Sequence, residues 1–338
     1  MRHVITGGLG FTGKYLADEL LRRQAEVVIF DCASPPAAQP QGATFVHGDI
    51  TDAASLDRVG FKAGDVVYHL AARQFHGNVP YRARDRWFHA VNVEGTKNLL
   101  DAMQRGGARD LVFFSTDMVY GLPDCSPIPP SHPRRPLGPY GRSKRAAEEM
   151  LAASARDGFR TTVFRPRLIV GAGRLGVLSN LFRLIETGRP VPLIGDGRNR
   201  YQMVSVHDCV GAALHAVQAG LPPGPFNLGS KDPPTVKDLL QGLIANVGSR
   251  SRLLPTPASA VKLALSVLDG VGLTLLHPEQ YMIADRDCVL DVSDTAATLG
   301  FVPVRDDREM LLAAYEEYVS GRAAAAAGGA KPGLVEYR

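Results

Sequence analysis

Cysteines, basic clusters and one-sided charge are scarce in this 338-residue chain. The four cysteines, Cys32, Cys125, Cys209 and Cys288, lie 93, 84 and 79 residues apart, which excludes a Cys-x-x-Cys redox or zinc framework and is typical of reduced intracellular thiols. No basic run exceeds two residues and the net charge is only +4, so we expect no nucleic-acid partner. We expect no metal site either.

Long apolar runs are missing as well. The stretch 258–276 is the one candidate for a membrane span, but Lys262 and Asp269 interrupt it, so we expect no spanning helix. Residues 1–8 do not fit the pattern of a secretory signal peptide. We therefore expect a cytoplasmic protein whose partner is a small-molecule substrate.

Short apolar runs alternate with segments of helical period through the first half of the chain. Six runs rich in Val, Ile and Phe predict buried parallel strands, at 3–6, 26–30, 44–47, 65–69, 110–115 and 160–165. Four longer segments between them predict crossover helices, at 12–23, 52–58, 84–105 and 140–156. This order predicts an α/β fold, a Rossmann-type doubly wound parallel sheet.

A glycine-rich turn joins the first predicted strand to the first helix. Gly7, Gly10 and Gly13 suit a tight turn, a close approach of the backbone to a pyrophosphate, and close helix–strand packing. The phosphates are expected on backbone N–H groups where the helix begins, at Phe11 and Thr12. An ordinary strand–helix turn is the alternative, but the strand–turn–helix context favours a dinucleotide site.

An acidic residue follows the second predicted strand. Asp31 lies 18 residues after Gly13, where its carboxylate can accept both hydroxyls of an adenosine ribose. No arginine follows within several residues, so a 2′-phosphate is repelled and NAD is favoured over NADP. Asp49 could accept from the adenine amino group and Ile50 could pack on its ring, although Asp49 is equally suited to a helix start.

Small residues after the fourth predicted strand would let the backbone reach the cofactor, and these are Leu70, Ala71 and Ala72.

Farther along, Tyr140 and Lys144 are four residues apart and so share one face of a predicted helix. A phenol with a pKa near ~10 is a poor base at neutral pH unless a nearby cation stabilises the phenolate. Tyr140 could then remove a hydroxyl proton while hydride leaves the same carbon for NAD, and Lys144 could also bind the nicotinamide ribose. An exposed Tyr and Lys is the alternative.

Two hydroxyl residues end the fifth predicted strand. Ser115 and Thr116 are both placed to hold the oxygen of a substrate at the carboxyl end of the sheet.

Together these segments resemble the extended short-chain dehydrogenases/reductases, in their NAD-dependent epimerase/dehydratase branch, over about residues 1–320. The resemblance implies a catalytic triad of Thr116, Tyr140 and Lys144, and it places Asn92 in the active site or beside the cofactor. A polar residue inside a helix is the alternative for Asn92.

Three departures from the family pattern bear on the reaction. The dehydratases of this family have Glu after the Asp in this segment, whereas here Met118 follows Asp117. A thioether cannot transfer a proton, so dehydration is disfavoured. Arg200 lies one position earlier than the arginine that nucleotide-sugar epimerases place on the substrate diphosphate. Two interpretations of Arg200 therefore stay open: it binds the substrate, or it lies in a solvent-exposed basic turn. Arg167 stands where the family has Asn after Arg-Pro.

The resemblance therefore implies an NAD-dependent epimerase that acts on a nucleotide sugar, with Ser115, Asp117 and Arg200 as candidate substrate residues. The alternative is a net dehydrogenase or ketoreductase acting on a hydroxysteroid-like or polyketide-like alcohol. A non-catalytic NAD-binding regulator is a third reading, which the intact triad disfavours.

The chain is expected to divide into two main units. Seven prolines over 123–139 predict an irregular loop, and after residue 171 the alternation gives way to helices at 178–187, 207–219, 235–246, 259–268 and 307–320. We predict an NAD-binding domain over 1–170, to which about 200–220 returns. A smaller substrate-binding lobe is predicted over 171–320 and a flexible tail over 321–338. The resemblance implies a homodimer, formed through the paired helices at 84–105 and 140–156.

Overall fold

The computed structural model describes residues 1–34, 42–75, 79–173, 176 and 178–326. In the first half the elements are β1 (Arg2–Thr6), α1 (Phe11–Arg22), β2 (Glu26–Asp31), β3 (Thr44–His47), α2 (Ala53–Asp57), β4 (Val66–His69), α3 (Arg84–His89), a π-helical turn (Ala90–Glu94), α4 (Gly95–Gly106), β5 (Asp110–Phe114), a 3₁₀ turn (Asp117–Val119), α5 (Pro139–Ser154), a second 3₁₀ turn (Ala155–Asp157) and β6 (Arg160–Pro166). The remaining elements are β7 (Leu168–Val170), α6 (Leu178–Glu186), β8 (Val191–Ile194), β9 (Met203–Ser205), α7 (Val206–Gln218), β10 (Phe226–Leu228), α8 (Val236–Asn246), β11 (Leu253–Thr256), α9 (Ala258–Gly270), α10 (Pro278–Tyr281), α11 (Ser293–Leu299) and α12 (Asp307–Ala326).

A parallel sheet of seven strands forms the centre of the molecule, in the order β10-β6-β5-β4-β1-β2-β3. Val4 of β1 pairs with Val28 on one side and Val67 on the other, and all three side chains are buried. Apolar clusters cover both faces of the sheet, which explains why its strands are apolar throughout. The Rossmann-type doubly wound fold predicted from the sequence is confirmed.

The chain reverses direction across the sheet at β1. It runs outward from β1 to β2 and β3, then returns to β4 on the opposite side of β1. Loops that leave the carboxyl ends of β1 and β4 therefore border one crevice, which is where ligands bind in sheets of this kind. The predicted cofactor residues lie around this crevice.

A smaller lobe follows the sheet. Two short parallel pairs, β7 with β9 and β8 with β11, pack with α6, α8 and α12 around a separate apolar cluster. Between β9 and α8 the chain returns to the main sheet, where α7 packs beside α1 and β10 pairs with β6. The proline-rich segment before α5 is irregular, as predicted.

Several helices differ from their predicted bounds. The predicted helix 84–105 is interrupted by the π-helical turn Ala90–Glu94, which divides it into α3 and α4. The last helix, predicted to end at 320, continues to Ala326, so the first six residues of the predicted tail are helical. Residues 327–338, the rest of that tail, lie outside the described residues. The short helices α10 and α11 were not predicted.

Candidate active site

The glycine turn after β1 packs closely against the loop after β4. Gly7 has φ of 71°, and a Cβ atom there would lie 2.6 Å from the backbone nitrogen of Ala71. A Cβ atom on Gly13 would lie 2.4 Å from the carbonyl oxygen of Gly7. Gly10 precedes α1 and has no side chain to cap it, which suits an anion at its first N–H groups. The predicted residues of this turn lie in the loop or the first turn of α1: Gly7, Gly10, Phe11, Thr12 and Gly13.

Asp31 is the last residue of β2 and is buried beside this turn. Its two carboxylate oxygens accept the N–H groups of Leu9 and Ala33, each at 2.9 Å. A carboxylate oxygen can accept more than one hydrogen bond, so Asp31 can hold the turn and still accept ribose hydroxyls. The residues present therefore fit a dinucleotide with an unphosphorylated 2′ position.

The other predicted cofactor residues follow β3 and β4. Asp49 lies in an exposed turn and accepts the N–H and hydroxyl of Thr51, both at 2.8 Å. Ile50 is buried against Gly95 at the start of α4. Leu70 and Ala72 are half-buried beside Ala71, in the loop that faces the glycine turn.

Asn92 lies in the π-helical turn and is buried. Its side-chain carbonyl accepts the Arg73 N–H at 2.8 Å, and its amide donates to the Arg73 carbonyl at 3.1 Å and to the Ser143 hydroxyl at 2.9 Å. The Ser143 hydroxyl in turn donates to the Tyr140 carbonyl at 2.7 Å. Asn92 thus ties the loop after β4 to the helix that bears Tyr140, which places it between the two parts of the candidate site.

Tyr140 and Lys144 lie one turn apart on α5, and both are buried. The Lys144 Nζ donates to the carbonyl of Phe114 at 2.8 Å, where β5 ends at the carboxyl edge of the sheet. Burial lowers the pKa of Lys144 to about 7. The Tyr140 ring packs against those of Phe75 and Phe88, whose centres are 5.2 and 5.6 Å away. The predicted pair is therefore inside the molecule and beside the crevice.

The two hydroxyl residues after β5 have different surroundings. The Ser115 hydroxyl donates to Glu148 on α5 at 2.5 Å, so its proton is engaged away from the crevice. The Thr116 hydroxyl accepts the Met118 N–H and donates to Asp117, both at 3.2 Å. Of the two, Thr116 has the longer and weaker hydrogen bonds and is the more available to a ligand.

A cavity opens beside the 3₁₀ turn that follows Thr116. It is small, with about 10 Å³ of free space, and its lining is Asp117, Met118, Tyr120, Gly121, Ile128, Leu137, Glu279, Ile283 and Cys288. Behind this wall, the buried guanidinium of Arg167 pairs with Asp117 and stacks on the Tyr201 ring, with 4.1 Å from its central carbon to the ring centre. The cavity thus combines an apolar wall with a buried ion pair.

Sequence reasoning missed Glu279 entirely. It lies on α10, is buried, and accepts the N–H of Gly141 on α5 through both carboxylate oxygens, at 3.3 and 3.4 Å. Burial raises the pKa of Glu279 to about 7. Next to it, the ring of His277 stacks on Phe75 at 4.5 Å and so covers Tyr140. The only local signal was a His-Pro-Glu helix start, and nothing in it indicates contact with α5.

Arg200, the third candidate substrate residue, lies farther along the lobe. Its N–H donates to Asp287 at 2.7 Å and its guanidinium to the Pro233 carbonyl at 3.1 Å. The structure thus brings Thr116 and Asp117 together but holds Arg200 in contacts of its own.

Within the described ranges, no group of three His, Cys, Asp or Glu residues could hold a metal ion. No described helix is both long and apolar enough to span a bilayer.

Two curated relatives match most of the chain. An uncharacterized protein of Sinorhizobium fredii, y4nG, is 31% identical over 328 residues, covering 96% of this chain and 81% of that protein. The 3beta-hydroxysteroid-dehydrogenase/decarboxylase isoform 1 of Arabidopsis thaliana is 26% identical and covers 89% of this chain and 76% of its own length.

A solved structure shares the fold over nearly the whole length. The UDP-glucose 4-epimerase of Thermus thermophilus, solved with NAD, superposes with a TM-score of 0.73 at 25% identity, over 94% of this chain and 99% of that one. Residues 3–229, which contain the glycine turn, the crevice and the Tyr140–Lys144 pair, match the model of the NAD dependent epimerase/dehydratase family. On these matches, the chain belongs to the NAD-dependent epimerase/dehydratase family, with NAD as its cofactor.

Proposed function

We propose that this protein is an epimerase that transiently oxidises a hydroxyl-bearing carbon of a nucleotide sugar. The observation that carries the proposal is the buried Tyr140–Lys144 pair on α5, beside the crevice at β1 and β4. A phenol and an amine at helical spacing are suited to remove a hydroxyl proton at a site where hydride is also transferred.

The cofactor would be held by the turn around Gly7–Gly13, by Asp31 and by the loop at Ala71. Held by these residues, NAD would supply a reversible hydride acceptor for the substrate carbon. The close approach of Gly7 to Ala71 supports this placement. A side chain at Gly7 would collide with the backbone of Ala71, so the glycine lets the two loops that border the crevice come together.

Proton transfer falls to Tyr140. The phenolate oxygen of Tyr140 takes the substrate proton and becomes the phenol. The protonated amine of Lys144, fixed on the Phe114 carbonyl, stabilises that phenolate by its positive charge. The Thr116 hydroxyl donates a hydrogen bond to the substrate oxygen and holds it near Tyr140. Asn92 and Ser143 hold α5 and the loop after β4 in register, which keeps the base and the cofactor loop together.

Elimination of water is not part of this proposal. The position after Asp117 carries Met118, whose thioether can neither give nor take a proton, while the Asp117 carboxylate is held by Arg167. Epimerisation requires that the proton and hydride leave, that the ketone turns over in the site, and that the hydride returns to its opposite face. The Tyr140–Lys144 pair would move the proton and NAD would carry the hydride.

A net dehydrogenase on a non-nucleotide alcohol is the second candidate. The apolar part of the cavity wall, formed by Met118, Ile128, Leu137 and Ile283, supports it because such a wall suits a hydrophobic substrate. The hydroxysteroid relative covers most of the chain and supports the same alternative.

The test is a panel of UDP-, GDP- and dTDP-sugars and sterol-like alcohols, assayed with the purified protein and with Tyr140→Phe. An epimerase converts one sugar to its epimer without net accumulation of NADH, whereas a dehydrogenase accumulates NADH. We expect Tyr140→Phe to lower the rate by at least about a hundredfold while NAD still binds. An unchanged rate in Tyr140→Phe contradicts the catalytic assignment, and a protein that binds NAD but turns over nothing on the panel favours a regulator.

Location and assembly complete the proposal. We place the protein in the cytoplasm, as a homodimer formed through α3, α4 and α5. These helices support a dimer because α3 and α5 pack against each other, so the two could meet a second copy together. Sedimentation of the purified protein tests the assembly.

A further inference from the structure

The helix α9 is attached to the rest of the protein mainly through polar groups. Lys262 forms an ion pair with Asp285, and Asp269 pairs with Arg84 at 2.7 Å. The carbonyl of Gly270, at the end of the helix, accepts the hydroxyl of Tyr81. The charged residues of α9 therefore face the protein, and none of its thirteen residues is buried.

The outward side of α9 is apolar. Six residues at helical spacing and two that follow them form one stripe, called here the apolar stripe: Ala260, Leu263, Ala264, Val267, Gly270, Val271, Leu273 and Leu275. Leu263, Val267 and Val271 are 67%, 58% and 66% exposed. Ordinary surface helices show the opposite arrangement, with apolar residues inward and charges outward. Contiguous exposed apolar residues of this kind mark interaction sites for proteins or membranes.

We propose that the apolar stripe lies on the surface of an anionic lipid bilayer as an interfacial helix. The thirteen residues of α9 measure about 20 Å, too short for a hydrocarbon core of about 30 Å, so the helix lies along the bilayer rather than across it. A second copy is a poorer occupant. A strip about 20 Å long and 10 Å wide covers roughly 200 Å², far below the ~800 Å² per partner of a stable dimer.

The segment that contacts the end of α9 suits anionic headgroups. Arg82 and Arg86 in this segment are exposed, and so is about half of the Tyr81 side chain, which has the Arg84 guanidinium over its ring. The acidic residue between the two arginines, Asp85, is paired with Arg142 at 2.8 Å. Basic and aromatic residues at the border of an apolar face are typical of helices that rest at the lipid–water boundary.

The test is flotation of the purified protein with two kinds of vesicle, phosphatidylcholine alone and phosphatidylcholine with phosphatidylserine. We expect the protein to float with both and more strongly with the second. The double variant Leu263→Gln, Val267→Gln should lower the partition coefficient by about tenfold or more on both, because it removes two large apolar groups. Arg82→Gln, Arg86→Gln should lower it roughly fivefold per arginine, on phosphatidylserine vesicles alone.

The matched control is Val302→Gln, Val304→Gln, which changes two exposed valines away from the stripe and should leave flotation unchanged. Three results overturn the proposal: no flotation of the unaltered protein, equal loss in the control, or unchanged flotation of the Leu263/Val267 variant. A fourth is a shift of that variant to a smaller species in sedimentation without lipid, which assigns the stripe to a second copy. None of these readouts depends on the proposed reaction.

Discussion

Two buried arginines only two residues apart make very different sets of hydrogen bonds. Arg165, on β6, donates to Glu148 through Nε at 3.0 Å and Nη2 at 2.6 Å, and its Nη1 donates to the Tyr120 hydroxyl at 3.0 Å and to the Pro130 carbonyl at 2.9 Å. Arg167 pairs with Asp117 through Nη1 and donates to the Cys288 carbonyl through Nε at 3.2 Å. Its Nη2 is buried and has no acceptor with hydrogen-bond geometry in the part of the chain that the structure describes.

The difference separates a structural ion pair from one at a ligand cavity. Glu148 also accepts the hydroxyl of Ser115 and the guanidinium of Arg134, so the Arg165 network is complete without a ligand. A buried donor without a partner costs about 1–3 kcal/mol, and a bound ligand or water can supply the missing acceptor. Arg167 has that property and lies behind the cavity wall. The comparison predicts that Arg165 determines stability and Arg167 determines substrate binding.

The largest expected effect is on folding. Arg165→Met leaves the Glu148 carboxylate buried with only the half-exposed Arg134 as a cation, so we expect the free energy of unfolding to fall by about 3–5 kcal/mol. Urea denaturation followed by circular dichroism measures the change. A loss below about 1 kcal/mol would show that the network is not the structural element described here.

Arg167→Met should have a smaller effect on folding and a larger one on the substrate. Asp117 is partly exposed and keeps the hydrogen bond from Thr116, so we expect a loss of about 1–2 kcal/mol in unfolding free energy. The KM for the substrate identified in the panel should rise about tenfold or more, with a smaller change in kcat, because a binding contact is lost. Equal KM values in the variant and the unaltered protein contradict the comparison.

The candidate site residues proposed from the sequence are those that depend on local pattern. The glycine turn joins β1 to α1, Asp31 ends the next strand, and Tyr140 and Lys144 are one turn apart on α5, so each signal can be read from residues close together in the chain. All six predicted strands are found in the main sheet, because strands buried on both faces must be apolar along their whole length. Its seventh strand, β10, has only three residues and was not predicted. Local constraints of this kind leave a clear pattern.

The parts that were missed depend on contacts between distant segments. Glu279 reaches Gly141 across 138 positions of the chain, and neither residue has a neighbour that signals the contact. Arg167 was seen only as a departure from the family, because its pairing with Asp117 requires β5 and β6 to be adjacent. The π-helical turn at Asn92 was predicted as plain helix, since a single inserted residue changes the hydrogen bonds without changing the apolar pattern.

Glu279 extends the comparison to a buried carboxylate that forms no ion pair with an arginine among the described residues. The structure shows no ion pair to it among the described residues, and burial holds its pKa at about 7, above the ordinary value near 4.5. The folded protein therefore keeps this proton between about pH 4.5 and 7 while the unfolded chain releases it. The contribution of Glu279 to stability consequently falls as the pH rises through that range.

Glu279→Gln should therefore change stability in a pH-dependent way. The amide stays neutral and its carbonyl can still accept the Gly141 N–H, so we expect unfolding free energies close to those of the unaltered protein near pH 5 and higher by about 1–3 kcal/mol near pH 8. Urea denaturation at both values measures the difference. The matched control is Asp117→Asn, which removes a carboxylate that does have an arginine: it leaves the Arg167 cation unpaired and should lower stability near pH 8. A gain of the same size at both pH values, or the same sign for both variants near pH 8, would mean that the pairing of these carboxylates does not govern their contribution to stability.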